Sequence, residues 1–146
     1  MKKIIMLMGV LPICAFVVAQ QINDPNAEVR DVKNFTAIKI SSAFDVYLNQ
    51  SNADAVAVSA SEQKYRDRIK VTVDNGILSV GFDNDKGIWK GWNGDKTKLK
   101  VYISFKQINS LRVSGACDVK AQGTIKADEL TINFSGASDL KDVKLD

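Results

Sequence analysis

The chain of 146 residues carries 20 Lys and Arg against 17 Asp and Glu, and with Lys2 and Lys3 set aside the balance is 18 against 17. That is too even for the clustered positive field that nucleic-acid binding requires, so nucleic acid is not an expected partner. There is no histidine, which removes Ser-His-Asp and Cys-His catalysis, zinc sites built on imidazole, and imidazole-based pH switches.

In chain order, Lys2-Lys3 is followed by an apolar run from Ile4 to Val18 and then by Ala19-Gln20-Gln21, the charged, hydrophobic and small-residue order of a secretory signal. The run is shorter than the roughly 20 residues that cross a bilayer, so no transmembrane span is expected. Val17 and Ala19 fit the cleavage rule, which makes 1–19 the signal and predicts export to the periplasm, the outer envelope or the medium. The competing reading is lipoprotein anchoring at Cys14, within Leu11-Pro12-Ile13-Cys14, although Ile13 stands where a small residue belongs. Cleavage leaves Cys117 as the only thiol, so no disulfide closes within the domain. Residues 20–34 are polar, hold Pro25, show no period and read as a leader or linker.

From Phe35 onward apolar and polar residues alternate, as in Phe44, Val46, Leu48 and in Leu99, Val101, Ile103, Phe105, so strands with one buried face are expected. Ser61 to Arg68 is the one helical stretch, a short turn for which Ser61 is the candidate cap. Asp74-Asn75-Gly76 separates Ile69–Val73 from Ile77–Phe82 and predicts an antiparallel hairpin, because Asn-Gly supplies the positive φ angles of a tight primed turn. Asp83 to Thr97 is long, glycine-containing and carries Trp89 and Trp92, the signature of a functional or covering loop.

Leu111–Val119 and Ile132–Leu140 align at an offset of 21 residues and share Ser-Gly-Ala-x-Asp, and Ile38–Val46 repeats the pattern 73 residues before the first. Ser41, Asp45, Ser114, Gly115, Asp118, Ser135, Gly136 and Asp139 are thereby the repeat's turn residues. The unit reads as a strand, a sharp turn of little bulk, an Asp that bonds nearby amides, and a second strand. Self-similarity at a fixed period points to stacked coils, an all-β solenoid of parallel β-helix type in which small residues sit on small residues. A β-sandwich or barrel is the alternative; it accounts for the hairpin and leaves the repeat unexplained. The 73-residue offset is no multiple of 21, so an insertion or an irregular first part is expected between the copies.

Phe35-Thr-Ala-Ile38 with Ala43-Phe-Asp-Val-Tyr-Leu48, the Asp74-Asn-Gly-Ile-Leu78 hairpin and the two Ser-Gly-Ala-x-Asp units together resemble the head domain of auto-transporter adhesins, the GIN domain, common in exported proteins of Bacteroidetes. The resemblance covers Phe35 to the end, which sets the domain at 35–146. It implies a right-handed parallel β-helix, export, and a part in adhesion without catalytic residues. Members of that family are longer, with further glycine-rich coils, so truncation at the C-terminal end, or self-association through an open coil end, is expected.

Three groups of residues are candidates for chemistry. Asp45, Asp118 and Asp139 hold one repeat position, where stacked carboxylates suit calcium or mimic the acid pair of a glycosidase; turn stabilisation explains them without either. Trp89 and Trp92, among Lys90, Gly91, Asn93 and Asp95, form either an aromatic platform for sugar or peptide or a cover packed on the coil. Lys96, Lys98 and Lys100 read as a solvated strand face that guards an edge. The expectation is a non-enzyme without cofactor or metal site that binds an extracellular glycan or protein, with an envelope structural module as the alternative and a divergent polysaccharide-active enzyme behind both.

Overall fold

The structure is a computed structural model and describes residues 24–83, 98–141 and 144–145. The signal segment with Cys14, and Trp89, Trp92 and Lys96, lie outside the described residues. The alternating segments form β1 (Glu28–Arg30), β2 (Ala37–Ile40), β3 (Asp45–Gln50), β4 (Ala55–Ser59), α1 (Gln63–Arg66), β5 (Ile69–Asp74), β6 (Ile77–Phe82), β7 (Lys100–Phe105), β8 (Ser110–Val113), β9 (Asp118–Gln122), β10 (Thr124–Ile125), β11 (Thr131–Phe134), β12 (Asp139–Lys141) and β13 (Lys144–Leu145).

Two mixed sheets result, one ordered β1-β4-β7-β3-β9-β12 and one ordered β11-β8-β2-β6-β5, with a small parallel pair β10-β13 beside them. Neither large sheet closes on itself, so the chain is all-β without a barrel. Their apolar faces share one core. Val46, Leu48, Val101, Ile103 and Val119 enter it from the larger sheet, and Ile38, Ile40, Leu78, Val80, Leu111 and Val113 from the smaller, each at most 2% exposed. Full burial of each such side chain contributes roughly 1.5–3 kcal/mol. Phe44 and Cys117 close the core along one lateral edge, and Phe35, Phe105, Ile108 and Ile125 close it along the other.

The order of strands in space is not their order in the chain. The pair β2/β3 precedes the other parallel-paired strands in sequence yet is central, flanked by β6/β7 on one side and β8/β9 on the other, all in parallel register. The 73 residues between Asp45 and Asp118 therefore separate immediate neighbours. The intervening chain runs out to one end through β4, α1 and β5, returns as β6/β7, and crosses the central pair to begin β8. The next copy follows at the 21-residue offset, with Asp118 beside Asp139 and Leu111 beside Ile132.

The two ends of this stack differ. At the first, pairing turns antiparallel: β4 lies against β7, β1 against β4, and β5 against β6. The β5–β6 hairpin forms as expected, Asp74 facing Ile77 across Asn75 (φ 53°) and Gly76 (φ 77°). Arg30 draws this end together, donating to the carbonyls of Ile69 at 2.8 Å and Arg66 at 2.9 Å. Part of the stretch read as a leader thus belongs to the sheet; three residues with a polar Glu28 and Arg30 show no period that would reveal a strand. Helix α1 is a single turn whose N-cap position is Glu62, in extended backbone and without a side-chain cap bond, so Ser61 is not the cap. At the other end, among the described residues, β11 and β12 are the last strands of their sheets, and the core thins: Leu140 is 38% exposed where its neighbour Val119 is fully buried.

Candidate functional site

The repeated turns lie one above another along one edge. Backbone rungs join them: Ser135 N–H donates to the Val113 carbonyl, Ser114 to Ile40 and Ser41 to Val80, each at 2.9 Å. Asp139, Asp118 and Asp45 N–H bond in the same way to Cys117, Phe44 and Leu99. Ser42, Gly115 and Gly136 occupy equivalent places with φ of 74°, 93° and 78°. A Cβ on Gly136 would lie 2.6 Å from the Gly115 carbonyl oxygen, and one on Gly115 2.8 Å from that of Ser42. Glycine is required there by contact as well as by conformation. Cys117 Sγ donates to the Ser42 carbonyl, and at the equivalent place 21 residues on, Ser138 Oγ donates to the Gly115 carbonyl, both at 2.8 Å.

Asp45, Asp118 and Asp139 stand in one row across three parallel strands, with Lys100 beyond Asp45. Burial first, then the Asp118 carboxylate, hold Asp45 above the usual carboxylate value, against the opposing pull of Lys100, Lys120 and Lys141. Among the described residues no group of three or more His, Cys, Asp or Glu is arranged to hold a metal ion. Cys117 is 1% exposed, and burial raises its thiol, so it is a core residue and a poor nucleophile.

The next outward row of the larger sheet reads Tyr102, Tyr47, Lys120, Lys141. The two tyrosine rings stack with centroids 5.1 Å apart and planes 16° from parallel. Tyr102 donates its hydroxyl to Asp24 Oδ2 at 2.8 Å. Burial and the Asp24 carboxylate raise the phenol's ionisation well above that of a free tyrosine. Burial alone would raise Asp24 too, but hydrogen bonds from Ser59, Tyr102 and the Asn26 N–H, with Lys100 nearby, hold it below its usual value.

On the opposite lateral edge Gln50 bridges two connections, its Nε2 donating to the carbonyls of Lys106 and Lys126 at 3.0 Å while its Oε1 accepts from Lys126 N–H at 2.8 Å. Asp54 does likewise, accepting from the N–H of Asn34 at 2.8 Å and of Lys106 at 2.9 Å. A cleft of about 600 Å³ opens beside Gln50, lined by Thr36, Gln107, Asn109, Asp128 and Glu129 among others. A second, of about 550 Å³, lies where the connection bearing Trp89 and Trp92 rejoins the sheet, between Ala43–Asp45 and Lys98–Lys100. Tyr47, Tyr102, Asp24, Gln50 and Asp54 were not singled out from sequence. The available signal was two tyrosines at outward positions of otherwise alternating strands.

Comparison with known proteins gives one family and one fold. A family model described as "Putative auto-transporter adhesin, head GIN domain" matches residues 34–146. No curated protein matches the chain. Among solved structures, a putative adhesin from Bacteroides fragilis superimposes with a TM-score of 0.66 at 20% identity, over 82% of this chain and 54% of its own. A putative lipid binding protein from Parabacteroides distasonis gives 0.64 at 18%, over 85% and 61%. A putative adhesin from Parabacteroides merdae gives 0.60 at 20%, over 81% and 52%. The chain spans little more than half the length of these structures, and at such identities the likeness shows the fold alone.

Proposed function

Because the chain belongs to the family of auto-transporter adhesin head GIN domains, we propose that it is an exported, non-catalytic adhesion module, built as a right-handed parallel β-helix, that binds an extracellular glycan or protein. The parallel register of β2, β8 and β11, and of β3, β9 and β12, supports the coil, and crossovers between parallel strands of one sheet are right-handed as a rule. The observation that carries the reading is the engagement of the repeat's turns in backbone rungs and close glycine contacts. The conspicuous Ser, Gly and Asp residues hold coil to coil, and the broad faces and long connection are left for partners. Trp89 and Trp92 are the proposed ligand-binding residues of that connection. Residues 1–19 act as the export signal in this reading. The test is binding of the purified chain to arrayed glycans and immobilised extracellular proteins. Binding that is lost in the Trp89→Ala, Trp92→Ala double variant supports it; release of sugar from a bound glycan refutes the non-catalytic assignment.

Self-association is a second reading, favoured by the partly exposed apolar side chains of β11 and β12. Leu140 is 38% exposed and Ile132 and Phe134 are half-buried, although their neighbours Val119, Leu111 and Val113 are buried. Antiparallel pairing of two β12 strands about Leu140 sets Asp139 of each copy against Lys141 of the other. Sedimentation should then show a concentration-dependent dimer that Leu140→Asp abolishes; a monomer at all concentrations refutes it.

A further inference from the structure

The outer face of the larger sheet holds an arrangement that neither the turns nor the core require. Tyr47 stands at its centre, with one ring face covered by Tyr102. Its other face is directed at the neighbouring strand, where Lys120 is in register and exposed. Two residues back along both strands lie Asp45 and Asp118, and two residues on lie Asn49 and Gln122, again in register. A rigid aromatic face is thus bordered by two carboxylates on one side and two carboxamides on the other. The ring is held from behind, since Tyr102 is fixed by its hydrogen bond to Asp24.

We propose that this face is a glycan-binding site, in which a neutral hexopyranose packs on the free face of Tyr47 and its hydroxyls bond to Asp45, Asp118, Asn49 and Gln122. A sugar ring offers an apolar C–H face and an equatorial rim of hydroxyls, which calls for one flat aromatic surface with planar hydrogen-bonding groups around it. Lys120 stands only one strand spacing of about 4.8 Å away, so its exposed side chain turns aside and the sugar ring takes its place over β9, between Asp118 and Gln122. The charges decide the class of sugar. Asp45 and Asp118 oppose a polyanion at the ring site, and Lys120 and Lys141 beside them oppose a polycation. A row of stacked tyrosines for sheet stability alone would not need the carboxamides opposite one another.

The proposal rests on the reading of the chain as an extracellular binding module and names the class of ligand and its seat. The experiment measures binding of the folded chain to immobilised neutral hexose polysaccharides, a polyuronate and a panel of extracellular proteins. Neutral polysaccharide binding that falls about tenfold or more in Tyr47→Ala and persists in Tyr47→Phe supports the site. Should Tyr47→Ala not fold, the Asn49→Ala, Gln122→Ala double variant replaces it and is expected to show a comparable loss. Unchanged binding in a folded Tyr47→Ala variant overturns the site, as does preference for the polyuronate. Binding to proteins only also overturns it, and leaves the binding-module reading standing; binding to nothing on the panel removes both.

Discussion

Gly136 lies so close to Gly115 that a Cβ on the first would sit 2.6 Å from the carbonyl oxygen of the second, and Gly115 stands 2.8 Å from the Ser42 carbonyl in the same relation. The contact is with backbone on both sides, so it cannot be relieved by turning a side chain. Gly115 is the more constrained of the two because it is held between Ser42 and Gly136. Gly115→Ala should therefore destabilise the fold by about 1–3 kcal/mol, counting the left-handed backbone alone, with the clash adding to it. Gly136→Ala, in the turn that leads into the exposed strand β12, should cost less, since that turn is less tightly packed and can move outward. Denaturant unfolding of the two variants gives the comparison, and equal losses would contradict the ordering.

Asp45 and Asp24 should give stability opposite dependences on pH. The folded-state value of Asp45 is raised above 3.8, so the folded chain binds the proton more tightly than the unfolded one. Its contribution is fully present below 3.8 and is lost as pH rises through the folded value. Asp24 is lowered, so its contribution is present above 3.8 and is lost as pH falls through its folded value. Asp45→Asn should raise stability at neutral pH and remove the first slope. Asp24→Asn should lower neutral-pH stability and remove the second. Unfolding free energies from about pH 3 to about pH 7 separate the two.

Gln50 makes three hydrogen bonds with one amide, two as donor and one as acceptor. Gln50→Ala should cost about 1–3 kcal/mol at this partly exposed site. Gln50→Glu tests the orientation. A carboxylate still accepts from Lys126 N–H but faces two carbonyl oxygens without a donor, so at neutral pH it should be no better than Ala and should recover when acidified. A Glu variant as stable as the parent at neutral pH would mean that the two carbonyl contacts contribute little.

Cys117 should react with a thiol reagent in the native state only as fast as the fold opens. Its sulfur is buried and bonded to the Ser42 carbonyl, and burial raises the thiol. Labelling rates should follow the global unfolding constant across a denaturant series. Rapid labelling without denaturant would show that the turn edge opens locally.

What could be read from the sequence was what is encoded locally. Asn75-Gly76 specifies its hairpin within four residues, and the 21-residue offset gives the register of β8 with β11 and β9 with β12 because both copies carry the same turn. The 73-residue offset gave a true neighbour relation, but its meaning was hidden: the chain leaves the central strands β2 and β3 and later crosses them, which no period records. Asp24 with Tyr102 and Gln50 with Lys126 join residues 78 and 76 positions apart, and nothing in their immediate sequence marks them as partners. Strand β1 was missed for a related reason. Its pairing with β4 is made by backbone, which every sequence offers equally.

The central position of β2/β3 bears on how the chain folds. These strands emerge early from the ribosome, yet one neighbour is complete only at residue 105 and the other only at residue 122. Pairings so distant in sequence close slowly, because the loop entropy must be met before any contact compensates it. During synthesis the first half of the chain therefore has no finished structure to settle into. A polypeptide that has to pass a narrow secretion channel as an extended thread would keep the state that channel accepts until β9 arrives.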